Sequence, residues 1–293
     1  MASFRLNSSL FRFRFELGLA LFLIISLGLT RWNEQLSLVF LGALVLILGF
    51  PHGAFDVFIL KKNSETFFWF FLKLLLYLGV AGGLFLFWNS YPQIFWPLIF
   101  FVSALHFLKI EWSLRATGIF TPDLALAAIF LVPLFHPQNF SEIMQSLHGQ
   151  AFADWILTNA RGIYGLVVLS SLLRLLFFPN RGRHLIILSL GLICFYFLPL
   201  WYAFFSFFIM LHSARHLELS FQRFRDVHFK KYFLILIPVS ILSLIPAWLI
   251  FNQSQEFLAR VIILLVCLTG PHWLLDEWVG FKDKLLKFRA ESR

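Results

Sequence analysis

The chain has 293 residues, 60% of them hydrophobic, 19% aromatic and only 13% charged, against about 25% charged in an ordinary soluble domain. That composition excludes a water-soluble globule and a disordered chain, and its 2 cysteines cannot build a disulfide scaffold. The excess of 24 Lys and Arg over 15 Asp and Glu, a net charge of +9, fits basic loops on the cytoplasmic side of a membrane better than a nucleic-acid surface.

A transmembrane helix takes about 20 mainly apolar residues. Apolar runs at 17–31, 36–60, 67–88, 95–113, 123–136, 163–178, 184–199, 201–219, 233–250 and 257–280 predict an all-α, polytopic helical bundle of about ten spans, a single integral membrane domain over 1–293. The basic head (Arg5, Arg12, Arg14) before Leu17–Leu29 resembles a signal peptide, but no small-residue cleavage site follows, so it reads as a retained first helix. Arg12/Arg14, Lys61/Lys62, Arg115, Arg174/Arg181/Arg183, Arg223/Arg225/Lys230/Lys231 and Lys282/Lys284/Lys287 each fall at or after the end of an even number of spans, with Arg31 and Arg161 as exceptions. Both termini are therefore expected in the cytoplasm. The short fifth run and Pro199, which splits 184–219, keep eight spans open as the alternative. Phe140–Ala160, the longest loop, reads as an interfacial helix. Cys194 and Cys267 lie in apolar runs and are expected as buried, reduced thiols.

An ionisable group inside a span costs about 2.5–3.5 kcal/mol on insertion scales, so each one at depth asks for a functional reason. His52 and Asp56 lie on the second run, His106 and Glu111 on the fourth, His212, Arg215, His216 and Glu218 on the eighth, and His272, Asp276 and Glu277 on the tenth. The five histidines fall at similar depth near the cytoplasmic ends of even-numbered spans, as a shared site requires. His212-Ser-Ala-Arg-His216 is the sharpest local signal, because histidines four apart project from one helical face and can reach one ion. Two ligands from one helix leave others to be found, and His52 and His106 are the natural candidates. A single buried histidine is ordinarily a hydrogen-bonded core residue; five at one level point toward metal. Imidazoles suit Zn, Cu, Fe and Ni alike, and no thiolate is near. Neutral imidazoles leave the ion's charge uncompensated, a role for Asp56, Glu111, Glu218 and Asp276 around the rings. The bland reading is that some of these simply pair with Lys109, Arg115 or Arg215. An HExxH motif is absent, which leaves a zinc peptidase unsupported. His136, His148, His184 and His228 fall in loops or at span ends and read as solvated. One internal echo, Pro-His-x-x-x-Asp, occurs at 51–56 and again at 271–276.

The order GFPHGAFD at 49–56, SALHF at 103–107, Phe-His-Pro at 135–137, HSARH at 212–216 and Pro-His at 271–272 resembles the Brp/Blh family of membrane-bound β-carotene 15,15'-dioxygenases, across most of the chain. The resemblance implies one Fe(II) held by His52, His106, His212 and His216, and cleavage of β-carotene with O2 at its central double bond to two retinals. It implies a carotenoid dissolved in the bilayer as substrate, an inner-membrane location and a rhodopsin as one recipient of the retinal. The chain departs from the pattern after its second histidine, where the usual Gly-x-x-Asp-Trp is replaced by Leu108-Lys109-Ile110-Glu111-Trp112. Glu111 stands for the Asp, and Leu108 leaves less room than the glycine. His272 with Asp276 has no matched role. Two alternatives stay open: the same metal site acting on another carotenoid or isoprenoid lipid, and a transporter or proton relay, since intramembrane His, Asp and Glu also mark proton paths.

Overall fold

The computed structural model of the chain describes residues 14–45, 50–113, 122–177, 181–217 and 263–278, and every regular element among them is helical. Lipid offers backbone groups no water to bond, and helices satisfy them internally. In chain order the helices are α1 (Arg14–Trp32), α2 (Glu34–Leu44), α3 (Phe50–Lys62), α4 (Phe67–Ser90), α5 (Pro92–Ser113), α6 (Pro122–Phe135), α7 (Pro137–Ser146), α8 (Gln150–Thr158), α9 (Ala160–Phe177), α10 (Arg181–Phe197) and α11 (Leu200–Phe207). From α11 the helix continues through a π-helical stretch, Phe208–Ser213, into 214–217, and α12 covers 263–278.

The expected runs match these helices closely, with two differences. The run at 36–60 holds α2 and α3, and residues 46–49 between them lie outside the described residues. The segment 140–160, expected as one interfacial helix, is helical but in two pieces, α7 and α8. Pro199 separates α10 from α11, as its fixed φ and missing N–H dictate. The run at 233–250 lies outside the described residues. Among the described residues three helices are long and apolar enough to cross a membrane: α4, α5 over Pro92–Lys109, and α9. A fourth is the pair α6 and α7 taken together, bent by 95°. Helix α1 has the length but carries Arg14, Glu16 and Arg31, and α10 stops at 17 residues.

The chain forms two compact units. The first comprises Met1–His52, Ala104–Gln145 and Gln150–Asp226. Its centre is α6, which packs on α8, α9, α10 and α11, while α1 packs on α2, α10, α11 and the π-helical stretch. The sequence of α6 explains this place. Leu124, Ala125, Ala127, Ala128, Ile129, Leu131 and Val132 are all buried, and a helix apolar on every side belongs in the interior. Gly191 of α10 lies so close to α6 that a Cβ there would collide with Leu124. At the corner from α6 to α7, the His136 ring donates through Nε2 to the Phe195 carbonyl at 2.8 Å. Helix α7 then buries Phe140 and Met144, one turn apart. Arg183 of α10 pairs with the buried Glu16 of α1, its Nη2 lying 3.2 Å from Oε2.

The second unit comprises Gly53–Ser103, Ser146–Gly149 and Val227–Arg293. Helix α4 buries only Trp88 and shows long apolar side chains on its surface, Phe67 at 79% and Phe68 at 68% exposure. In water such a surface would be an aggregation site; in a bilayer it is the lipid-facing side. Trp88 of α4 and Trp96 of α5 both donate to the Leu147 carbonyl at 3.1 Å, tying the 146–149 turn to those helices. Gly270 of α12 is as tight as Gly191: a Cβ there would collide with Leu84 of α4. Lys73 donates to the Asn63 carbonyl and lies 5.6 Å from the centre of the Trp278 ring, which places its charge at the α3–α4 turn. Cys194 and Cys267 are free and buried, as expected.

Candidate metal centre

Three of the predicted ligands lie in the first unit, on α5 and on the helix that follows α11. His106, His212 and His216 are buried, at 2%, 2% and 7% exposure. The rings of His106 and His212 have centroids 5.2 Å apart, and those of His212 and His216 are 6.3 Å apart. An imidazole bound to a metal at about 2.1 Å puts its ring centre roughly 3 Å from the ion, so two rings on one ion lie roughly 4.5–6.5 Å apart. Both neighbouring pairs fall in that range, and imidazole is a donor type that suits a first-row transition-metal ion.

The local backbone is not the regular α-helix that the i, i+4 spacing implies. His212 lies inside the π-helical stretch, and the Ala214 N–H reaches back to the Ile209 carbonyl, five residues earlier. Such a widened turn inside a helix carries one extra residue and concentrates at functional sites. It also resets the face that His216 presents relative to α11. Aromatic rings hold His212: Phe107 lies 4.4 Å from it centre to centre, and Phe208 stacks on it at 5.6 Å. Phe207 in turn packs edge-on against Phe107 at 5.3 Å. A ring so confined keeps one rotamer, which is the condition for a preorganised ligand. Arg215, between the two histidines, is 1% exposed.

A second group of buried polar residues lies in the second unit. Asp56 of α3 accepts the Tyr77 hydroxyl of α4 at 2.7 Å and faces Nδ1 of His272 of α12 at 2.9 and 3.0 Å from its two oxygens. Nε2 of His272 is 3.9 Å from Asp276 Oδ2, one turn along the same helix. The aspartate of the first Pro-His-x-x-x-Asp copy thus meets the histidine of the second. Tyr77 was not among the expected residues; a lone Tyr in an apolar run gives no sign of its partner. The side chains of His52 and Glu111, and residue Glu218, lie outside the described residues, although the backbone of His52 is in α3 and that of Glu111 in α5.

Two histidines expected to be solvated are not. His184, at the start of α10, is 3% exposed, and its Nε2 lies 2.9 Å from Oδ2 of the buried Asp123 at the start of α6. Its place after Arg181-Gly182-Arg183 made it read as a span end, whereas the packing of α6 against α10 encloses it. The signal available in the sequence was Asp123, a lone acid opening a wholly apolar helix. His136 is half-buried at the α6–α7 corner. His148 is exposed, on a turn where its φ is 56°. His228 lies outside the described residues.

A sequence model of the family described as β-carotene 15,15'-dioxygenase matches residues 43–280. A protein named β-carotene 15,15'-dioxygenase, from uncultured marine bacterium 66A03, is 25% identical over 260 residues, covering 81% of this chain and 92% of that protein. No solved structure matches the chain. His52, His106, His212, His216 and His272 all fall within the matched residues.

Proposed function

The chain belongs to the β-carotene 15,15'-dioxygenase family, a family of oxidoreductases, and we propose that it splits β-carotene with O2 at the central double bond, in an Fe(II)-dependent reaction that yields two retinals. Buried His106, His212 and His216, with neighbouring rings 5.2 Å (His106–His212) and 6.3 Å (His212–His216) apart, are the observation that carries this reading. His52, one turn before Asp56 on α3, completes the four-histidine set. Bound Fe(II) supplies the redox chemistry that lets dioxygen react with a closed-shell polyene. The reaction balances with no other co-reactant, since one C=C bond is broken and each oxygen atom ends in one aldehyde.

The chain's own residues hold and orient. Phe107 and Phe208 fix the His212 ring, and the apolar surroundings exclude water that would compete for open positions. Neutral imidazoles leave the charge of the ion in a low-dielectric site, and a carboxylate on the same unit, Glu111, serves to compensate it. The substrate is dissolved in the bilayer and enters sideways between helices. The topology that accompanies this reading is ten spans with both termini in the cytoplasm of an inner membrane, and a rhodopsin is one recipient of the retinal.

The test is expression in a bacterium that accumulates β-carotene, with chromatography of pigments and aldehydes. Two equivalents of retinal for each β-carotene lost are expected. Persistence of β-carotene in cells whose purified protein carries one iron would transfer the reading to another carotenoid or isoprenoid lipid. A protein with neither iron nor cleavage would be a transporter or proton relay, for which the Tyr77–Asp56–His272 chain of hydrogen bonds is the favouring observation.

A further inference from the structure

The two Pro-His-x-x-x-Asp copies are joined through their own side chains, and the join orients one of them. Asp56 and His272 are both buried, at 2% and 4% exposure. An ionised carboxylate only accepts hydrogen bonds, so the contact with Asp56 puts a proton on Nδ1 of His272 and turns Nε2 away from Asp56. Asp56 is itself held by the Tyr77 hydroxyl at 2.7 Å. A carboxylate bound to the far nitrogen of a histidine is the arrangement that fixes metal-ligating imidazoles and raises their basicity.

The near nitrogen has the geometry of a donor. Nε2 lies 3.9 Å from Asp276 Oδ2, too far for a hydrogen bond. A metal ion bridging the two atoms, or a proton on Nε2, makes their facing each other favourable. Two donors at about 2.0–2.2 Å from one ion stand roughly 3–4 Å apart, which accommodates this pair. Helix geometry keeps them together, since residues four apart on α12 share a face. The close approach of α12 to α4 at Gly270 sets the register of the element that carries both donors.

We propose that Nε2 of His272 and the carboxylate of Asp276 are donors to a divalent first-row transition-metal ion, with Asp56 and Tyr77 as the positioning residues that hold His272 in its donor tautomer. An imidazole and a carboxylate suit Fe(II), Mn(II), Co(II) or Zn(II).

The experiment is Co(II) titration of the detergent-purified full chain, read by the visible ligand-field spectrum and by metal analysis. Wild type is compared with His272→Ala, Asp276→Asn, Asp56→Asn and Tyr77→Phe. The donor variants are expected to lower metal per chain or to weaken Co(II) binding at least 100-fold, with a changed spectrum. The positioning variants should weaken it by about 10- to 100-fold. Asp276→Asn keeps the side-chain shape and serves if His272→Ala does not fold, as judged by helical circular dichroism and a single elution peak. Wild-type stoichiometry, affinity and spectrum in Asp276→Asn, together with either folded His272→Ala or His272→Gln, would overturn the proposal and leave His272 as an imidazolium clamped by carboxylates. Loss of iron in His212→Ala beside unchanged His272 and Asp276 variants would keep the four-histidine reading and end this one; the reverse pattern would do the opposite.

Discussion

At the scale of single residues, His212 is the most constrained side chain of the first unit. It is buried, lies in the π-helical stretch, stacks on Phe208 and stands 5.2 Å from His106 ring to ring. Removing a ligand from a preorganised site removes metal and chemistry together, so His212→Ala and His216→Ala should each lose iron and activity in parallel. Metal analysis beside a retinal assay checks this; full iron and turnover in His212→Ala would end the four-histidine assignment. His148→Ala, on an exposed turn, should change neither quantity. The His184–Asp123 pair is a stability element rather than a ligand set. Asp123→Ala leaves a buried imidazole without the carboxylate it faces, and a buried polar group that loses its partner costs about 1–3 kcal/mol. A lowered thermal midpoint with iron content per folded chain unchanged is expected, measured by thermal melts in detergent.

At the scale of elements, the π-helical stretch Phe208–Ser213 decides where His212, within it, and His216, just after it, point. Each residue of an α-helix turns the chain by about 100°. Deleting Ile209 should return the turn to α register, rotate His212 and His216 relative to α11, and reduce iron to below about one-tenth of wild type while helicity persists. Circular dichroism and metal analysis of the same preparation read both arms. The glycines that admit close helix contacts make a second case. Gly191→Val forces a branched side chain into Leu124 across the α6–α10 contact, and overpacking of this kind costs about 1–3 kcal/mol. The expected outcome is a lower midpoint with no change in membrane targeting. Spacing in the sequence located HxxxH correctly but carried no sign of the extra residue in the turn, because a π stretch is set by the packing around it and not by residue type.

At the scale of the whole molecule, the apolar surface of α4 and the span-length helices α5 and α9 require a bilayer. The distribution of Lys and Arg predicts both termini in the cytoplasm. Fluorescent-protein fusions at either end should therefore glow, and periplasmic phosphatase fusions at either end should be inactive. The opposite result at one end would make the span number odd.

Much of this was legible in the sequence because composition and periodicity are local properties. A chain 60% hydrophobic and 13% charged has no soluble fold open to it, and ionisable residues in apolar runs ask for a partner or a function. The helices α1, α4, α5, α6, α9, α10 and α11 follow from the apolar runs, and the family followed from short motifs in a fixed order. Only tertiary structure decided which side chains meet. Asp56 and His272 are 216 positions apart, Asp123 and His184 start two different helices, and Tyr77 sits in an apolar run with no partner in view. Those pairings depend on how helices pack, at glycines such as Gly191 and Gly270 and around the wholly apolar α6. Packing is a property of surfaces brought together from distant parts of the chain, and no local pattern encodes it.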